Sequence, residues 1–263
     1  MVNIRVIPCL LLHNQSLVKT VRFKKFNYIG DAINTVRIFN QMEVDELIFL
    51  DIAASKQGLN PDFSIIEDIA NECFMPFTYG GGIRNIEEIY KIHKIGVEKI
   101  AINSYALENP EFIKIASDLF GSQSVIVSVD VKKNLLGKLE IYYQGKKKIK
   151  KADPMEFILM AEDYGAGEIL LNSVDRDGTW SGYDIDFIKK ITDRISIPLI
   201  ASGGAGKIND FHNAVYEGGA SAVAAGSMFV YQGKDLGVLV NYPTRQELEG
   251  VLNFNNNKEY YIG

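Results

Sequence analysis

The chain has 263 residues, of which 47% are hydrophobic and 23% charged, with 23 Gly and 7 Pro, a composition that excludes disordered and collagen-like classes. Its 28 Lys and Arg against 33 Asp and Glu leave a net charge of −5, which argues against nucleic acid or a membrane surface as the principal partner. No run reaches the ~18 apolar residues of a membrane span, residues 1–14 lack a secretory pattern, and Cys9 and Cys73 sit in apolar, strand-like runs without metal-ligand spacing, so a cytoplasmic protein with reduced thiols is expected.

Along the chain, short apolar runs alternate with amphipathic stretches. Strands are expected near 4–12, 46–51, 75–79, 98–103, 124–131, 167–172, 197–202 and 221–226. They are rich in Ile, Val and Leu with little polar alternation, as when both faces of a sheet are covered. Helices are expected near 31–43, 61–72, 85–95, 109–119, 153–165, 184–194, 208–218 and 244–252, with Asn85, Asn109 and Asp153 as N-caps. Eight β–α units in this length fit a (βα)8 TIM barrel, a single domain over 1–263; a doubly wound open sheet is the alternative. An internal repeat favours the barrel. PFTYGGGIRN at 76–85 matches PLIASGGAGK at 198–207, DELIFLD at 45–51 echoes GEILLNS at 167–173, and RVIPCLL at 5–11 aligns with the run ending at Asp130. The halves, about 1–120 and 121–263, match in order.

The repeat also duplicates glycine clusters. Gly80–Gly82 and Gly203, Gly204 and Gly206 follow the third and seventh strands, while Asn103–Ser104 and Gly226–Ser227 end the fourth and eighth. One such cluster reads as a tight turn needing positive φ. Two symmetric ones, Gly81–Gly82 with Asn103–Ser104 and Gly203–Gly204 with Gly226–Ser227, read as a pair of phosphate cradles for a ligand phosphorylated at both ends. Asp51, Asp130, Asp175 and Asp177 stand at strand ends or just beyond as acid–base candidates, with loop capping the plainer reading for Asp175. Asp130 ends a rigid strand, and its counterpart in the first half is Leu11. At the opposite strand ends, Arg5, Glu46, Lys99 and Glu168 form either a solvated rim of ion pairs or a ring that plugs or gates the axis. His13 falls near the mouth as a possible substrate contact; His93 and His212 fall in helices. KLEIYYQGKKKIKKAD, 138–153, reads as a hairpin with a basic tip, either solvated or an anionic-substrate lid. Trp180 is a lid or partner aromatic.

Taken together, IPCL, DELIFLDI, GGGIRN, INS, SVD, GAGEILL, DRDGT, SGYD and IPLIASGGAGK resemble the cyclase-subunit family of imidazole glycerol phosphate synthase (HisF), from about residue 4 to 230 in order. The resemblance implies a TIM barrel without cofactor or metal. It also implies a heterodimer in which a HisH-like glutaminase docks on the barrel bottom and feeds it ammonia. In that family ammonia reacts with PRFAR to give imidazole glycerol phosphate and an aminoimidazole carboxamide ribonucleotide (AICAR), a step of histidine biosynthesis. Arg5, Glu46, Lys99 and Glu168 fall on ammonia-gate positions and Glu98 on a position facing the glutaminase. Lys19, Gly82, Asn103, Ser104, Asp177, Gly178, Gly204 and Ser227 fall on substrate and phosphate positions. The family's acid–base pair is two aspartates; Asp130 matches one and Leu11 occupies the other. KIKKAD stands in place of an Asn-Thr-Gly, Asn172 in place of a threonine, Ala53 where threonine is common and Val230 where histidine often stands. These changes on the catalytic face imply a paralogue, either retaining the cyclisation or serving as an ammonia conduit and docking module for amidino-sugar synthesis in a surface-glycan pathway. A third reading, isomerisation of a related aminoaldose, also needs two carboxylates and is weakened by Leu11.

Overall fold

A computed structural model describes residues 4–143, 153–235 and 237–252. Strand β1 (Arg5–His13) turns back through an antiparallel pair, β2 (Ser16–Thr20) and β3 (Phe26–Asp31), into helix α1 (Ala32–Gln41). Next come β4 (Leu47–Asp51), α2 (Ala54–Gln57), α3 (Phe63–Glu72), β5 (Phe77–Gly80), α4 (Ile86–Ile95), β6 (Lys99–Ile102), α5 (Ser104–Glu108) and α6 (Glu111–Phe120). The second half runs through β7 (Val125–Lys133), β8 (Leu139–Ile141), α7 (Pro154–Asp163), β9 (Glu168–Ser173), α8 (Ile185–Thr192), β10 (Leu199–Ser202) and α9 (Ile208–His212). It ends with β11 (Ala222–Ala225), α10 (Ser227–Val230) and α11 (Arg245–Leu252).

Strands β1, β4, β5, β6, β7, β9, β10 and β11 pair in parallel in that order, and β11 pairs back onto β1. The sheet is closed, a (βα)8 TIM barrel, and the open-sheet alternative is excluded. Alternation along each strand sorts its side chains. On β1, Val6, Leu10 and Leu12 point out to the helices, while Ile7 and Cys9 point in. The interior layer of Ile7, Ile48, Ala101, Ile126, Leu170, Ile200, Ala222 and Ala224 is apolar and buried, a packed axis rather than a pore.

The repeat seen in sequence recurs as paired local devices. Helix α4 starts with a capping box in which the buried Glu88 carboxylate accepts from the Arg84 and Asn85 amides at 2.7 and 3.3 Å. At the equivalent start of α9, Asp210 accepts from Gly206 and Lys207 at 2.8 and 3.1 Å. Both carboxylates satisfy helix-entry amides that the sheet cannot reach. Glu88→Ala orphans two of them and is expected to cost about 2 kcal/mol of stability, read as a lowered urea midpoint with an unchanged m-value.

Several expectations are corrected. The antiparallel extension β2–β3 was not foreseen; the Asn14–Gln15 turn that joins β1 to β2 has φ of 50° and 64°, the two-residue geometry that suits strand twist. Asn109 does not cap α6, whose N-cap is Pro110 without a side-chain bond. Cys73 lies at the C-cap of α3, not in a strand. The expected helix over 208–218 gives way after His212 to a wider π-type turn, Asn213–Glu217. The hairpin after the fifth barrel strand turns at 134–138 and pairs β7 with β8, because the Asn134 side chain accepts from the Leu136 and Lys138 amides. The Lys-rich run 146–151 lies outside the described residues.

Candidate functional site at the barrel mouth

The C-terminal ends of the strands open into a cavity of about 480 Å³. Its polar lining comes from Asp51, Gly81, Gly82, Asn103, Ser104 and Asp130, its apolar lining from Leu11, Leu50, Phe23 and Phe26. A smaller pocket of about 30 Å³ beside it is lined by Lys19, Asp177, Gly178, Gly203, Gly204, Gly226 and Ser227. Leu11, Phe23 and Asn172 border both.

The two glycine clusters are built alike. Gly81 and Gly203 have φ of +137° and +88°, and an added Cβ would lie 2.9 Å from the Asp51 carbonyl oxygen and 2.7 Å from that of Ser173. Asp51 and Ser173 are the equivalent last residues of β4 and β9, so each glycine lets a loop close against the preceding strand end. Asn103–Ser104 and Gly226–Ser227 begin α5 and α10 beside these loops.

The acidic residues have different jobs. The Oδ1 of Asp51 accepts from the Ala53 and Ala54 amides at 2.9 and 3.1 Å and thereby caps α2. Asp175 accepts from the Lys133 amide at 2.7 Å, the structural role that its sequence context favours. Asp177 is held in a buried cluster: its oxygens meet Lys19 Nζ at 2.5 Å and Thr20 Oγ1 at 2.7 Å. The Phe23 amide also donates to Asp177, at 3.4 Å, which ties the β2–β3 hairpin across the second cradle. Asp130 stands apart at the cavity floor. Burial pushes its pKa up to about 7, opposed by hydrogen bonds from Asn103 and Asn172, with the Asp177 charge adding to the upward push. Such a carboxyl holds both protonation states near neutrality. Cys9, pushed up to about 12 chiefly by burial, is no nucleophile at neutral pH.

At the other end of the axis the four charges close into a ring. Arg5 reaches Glu46 and Glu168 at 2.6 Å each, and Lys99 reaches Glu168 at 2.6 Å and Glu46 at 3.4 Å. Thr78 Oγ1 donates to Glu46 at 3.2 Å. Glu46 and Glu168 are 3% and 8% exposed, so the solvated-rim alternative fails. Glu98 is exposed beside this ring and also accepts from the Phe77 amide at 2.9 Å.

His13 lines the cavity and stacks on Phe26 with centroids 4.4 Å apart. His93 bonds the Val97 carbonyl and His212 that of Val251, both away from the mouth. Trp180 is half-buried with φ of 61°, and its backbone packs against Gly206 between the sixth and seventh loops. Sequence reasoning missed Thr20, Phe23 and Leu50 as mouth residues; Asn14 before the alternating SLVKT was the available signal for the hairpin that brings two of them in. Among the described residues no group of three His, Cys, Asp or Glu is placed to hold a metal ion, and no helix is long and apolar enough to cross a membrane.

A family model described as a histidine biosynthesis protein matches residues 5–235. The chain is 45% identical over 252 residues to a Leptospira interrogans protein provisionally named imidazole glycerol phosphate synthase subunit HisF, covering 95% of this chain and 99% of the relative. It is 47% identical over 249 residues to a Pseudomonas aeruginosa protein provisionally named hisF2 of the same synthase, with the same 95% and 99% coverage. A Vibrio vulnificus protein provisionally named hisF3 is 44% identical over 253 residues, 96% of this chain and 97% of its own. A closed barrel with duplicated glycine loops and whole-length identity at this level are shared ancestry: the chain belongs to the HisF family of histidine-biosynthesis proteins.

Proposed function

We propose that the chain is the ammonia-accepting synthase subunit of a glutamine amidotransferase pair. A HisH-like glutaminase would dock over the Arg5–Glu46–Lys99–Glu168 ring, with Glu98 at its rim, and a bisphosphorylated ligand of the PRFAR type would span the two glycine cradles. The observation that carries this reading is coaxial placement: a closed charge ring, a dry axis of Ile, Leu and Ala, and then Asp130 between two symmetric glycine loops. Ring opening would admit neutral ammonia, whose desolvation on a dry apolar axis costs far less than that of ammonium. At the mouth Asp130 takes a proton from the attacking nitrogen or returns one to the leaving group, because both of its forms are populated near neutral pH. Lys19, Gly203, Gly204, Gly226 and Ser227 would hold one phosphate, and Gly81, Gly82, Asn103 and Ser104 the other, with Asp177 and Gly178 placing the hairpin that carries Lys19 and Asp51 fixing the second loop. In this reading residues 1–263 act as one domain with no cofactor.

The test is PRFAR consumption by the purified full chain at high ammonium and alkaline pH, with Asp130→Asn alongside. Turnover is expected to fall by about 10²-fold or more in the variant. Leu11 favours a second reading, in which the barrel conducts ammonia while a different enzyme uses it for amidino-sugar synthesis. Phosphate-ligand binding without any PRFAR turnover would select that reading.

A further inference from the structure

The hairpin that continues the fifth barrel strand beyond the mouth ends in two leucines with nothing to pack on. Leu135 and Leu136 are 106% and 93% exposed, the most exposed large apolar side chains among the described residues. Turns of this kind ordinarily carry Asn, Asp, Gly or Ser. The turn's own bonds hold the pair away from the barrel. Asn134 Oδ1 accepts from the Leu136 and Lys138 amides at 2.9 and 3.0 Å, and the Gly137 amide, at φ of +76°, donates to the Asn134 carbonyl at 3.0 Å. The hairpin is also anchored at its base. The Asp175 carboxylate accepts from the Lys133 amide at 2.7 Å, and the Asp175 carbonyl accepts from Arg22 Nε at 3.1 Å. Asp175 therefore joins this hairpin to the β2–β3 turn, where Val21 and Lys25 are also exposed.

The charges around the tip have one sign. From Val131 to Leu139 the chain carries Lys132, Lys133 and Lys138 and no acid, although its net charge is −5. Lys133 and Lys138 are exposed, while Lys132 lies over the Tyr142 ring at 5.2 Å. Glu140, the next acid along, accepts from Asn134 Nδ2 at 2.9 Å, and Asp153 stands 3.9 Å from Lys138 Nζ, a loose pairing in water. Protein interfaces exclude lysine from their cores and seldom depend on leucine. Lysine beside a projecting apolar tip suits an anionic lipid surface, where ammonium groups meet headgroup phosphates while the apolar side chains enter the acyl boundary. We propose that the β7–β8 turn is a membrane-contact tip: Leu135 and Leu136 insert into the interface of an anionic bilayer, and Lys133 and Lys138 hold headgroup phosphates. The barrel mouth then opens toward the bilayer, whichever ligand it takes.

The experiment sediments the full chain with vesicles of phosphatidylcholine alone or with about one third phosphatidylglycerol. Binding is expected on the mixed vesicles at about 0.1 M salt and should weaken steeply at about 0.5 M. It should be absent on phosphatidylcholine, because two leucines bury too little apolar area to hold a chain on a neutral bilayer. Leu135→Ser with Leu136→Ser should weaken binding about 30-fold, and Lys133→Glu with Lys138→Glu by at least as much. Lys114→Glu with Lys189→Glu makes the same charge change on α6 and α8 and should leave binding within about threefold of the wild type. All of these side chains are exposed, so every variant is expected to fold, which matched urea midpoints check. No binding to the mixed vesicles, equal binding to both kinds, a tip variant that binds like the wild type, or a control variant weakened as much as the tip overturns the membrane contact. So does a lipid-free dimer, seen by sedimentation velocity in place of vesicle binding and abolished by the leucine changes, which would assign the pair to an interface between two copies of the chain.

Discussion

Leu11→Asp is expected to raise PRFAR turnover with ammonium salts by about 10²-fold, the low end of what a positioned acid–base group contributes. Leu11 stands on the inward-facing row of β1, in register with Leu50, and borders both cradles. It is 8% exposed, so a carboxyl placed there is held by the strand rather than by a loop. The gain is at the low end because the new group shares the cavity with Asp130 and lies near Asp177. Like charges at close range raise one of the pair, which equips one carboxyl as acid and the other as base. The same substitution removes a buried leucine and sets a partly desolvated polar group against Leu50, costing about 2–4 kcal/mol of stability. Leu11→Asn separates the two effects: it carries a similar stability loss and no transferable proton, so its turnover should stay at the wild-type level. A Leu11→Asp protein that binds phosphate ligands yet shows no gain over Leu11→Asn would refute the missing-group account. The substrate would then have been moved by other changes at the mouth, Asn172 among them.

The barrel was legible because its physics is local. Doubly covered strands read as unbroken Ile, Val and Leu runs, and duplicated halves repeat the same glycines and helix-entry carboxylates, as Glu88 and Asp210 show at atomic detail. The bottom charges were also visible as residue types at strand starts. Whether they formed a rim or a ring was not, because it depends on Arg5 meeting Glu168 across 163 positions of sequence. The roles of the mouth carboxylates divided for the same reason. Asp51, Asp130 and Asp177 look equivalent as strand-end acids. Only packing shows that the first caps a helix, the third is held by Lys19 and Thr20, and the second faces the cavity beside the Asn103 carboxamide. The β2–β3 extension escaped because its entry signal is the positive-φ Asn14–Gln15 turn after β1, and its alternation merges into that strand.

Asp130→Asn is expected to make the protein more stable than the wild type at pH 8 and close to it at about pH 4. The sign follows from linkage. Burial raises the folded-state pKa of Asp130 from 3.8 to about 7, so between those values the folded chain holds a proton that the unfolded chain has released. Stability falls with rising pH wherever the native state binds more protons. The wild type therefore loses stability as pH climbs from about 4 to about 7 and reaches a plateau above that. A shift of this size corresponds to at most about 4 kcal/mol, and asparagine, which cannot ionise, escapes the loss. Urea midpoints of both proteins at about pH 4, 5, 6, 7 and 8 measure it, and the difference between them cancels every other titrating group. A difference that stays flat across that range would mean that Asp130 is ionised throughout, its charge held by Asn103 and Asn172. The carboxylate would then be a fixed anion that attracts an incoming nitrogen without exchanging a proton with it, and acid–base work at the mouth would have to come from the ligand itself.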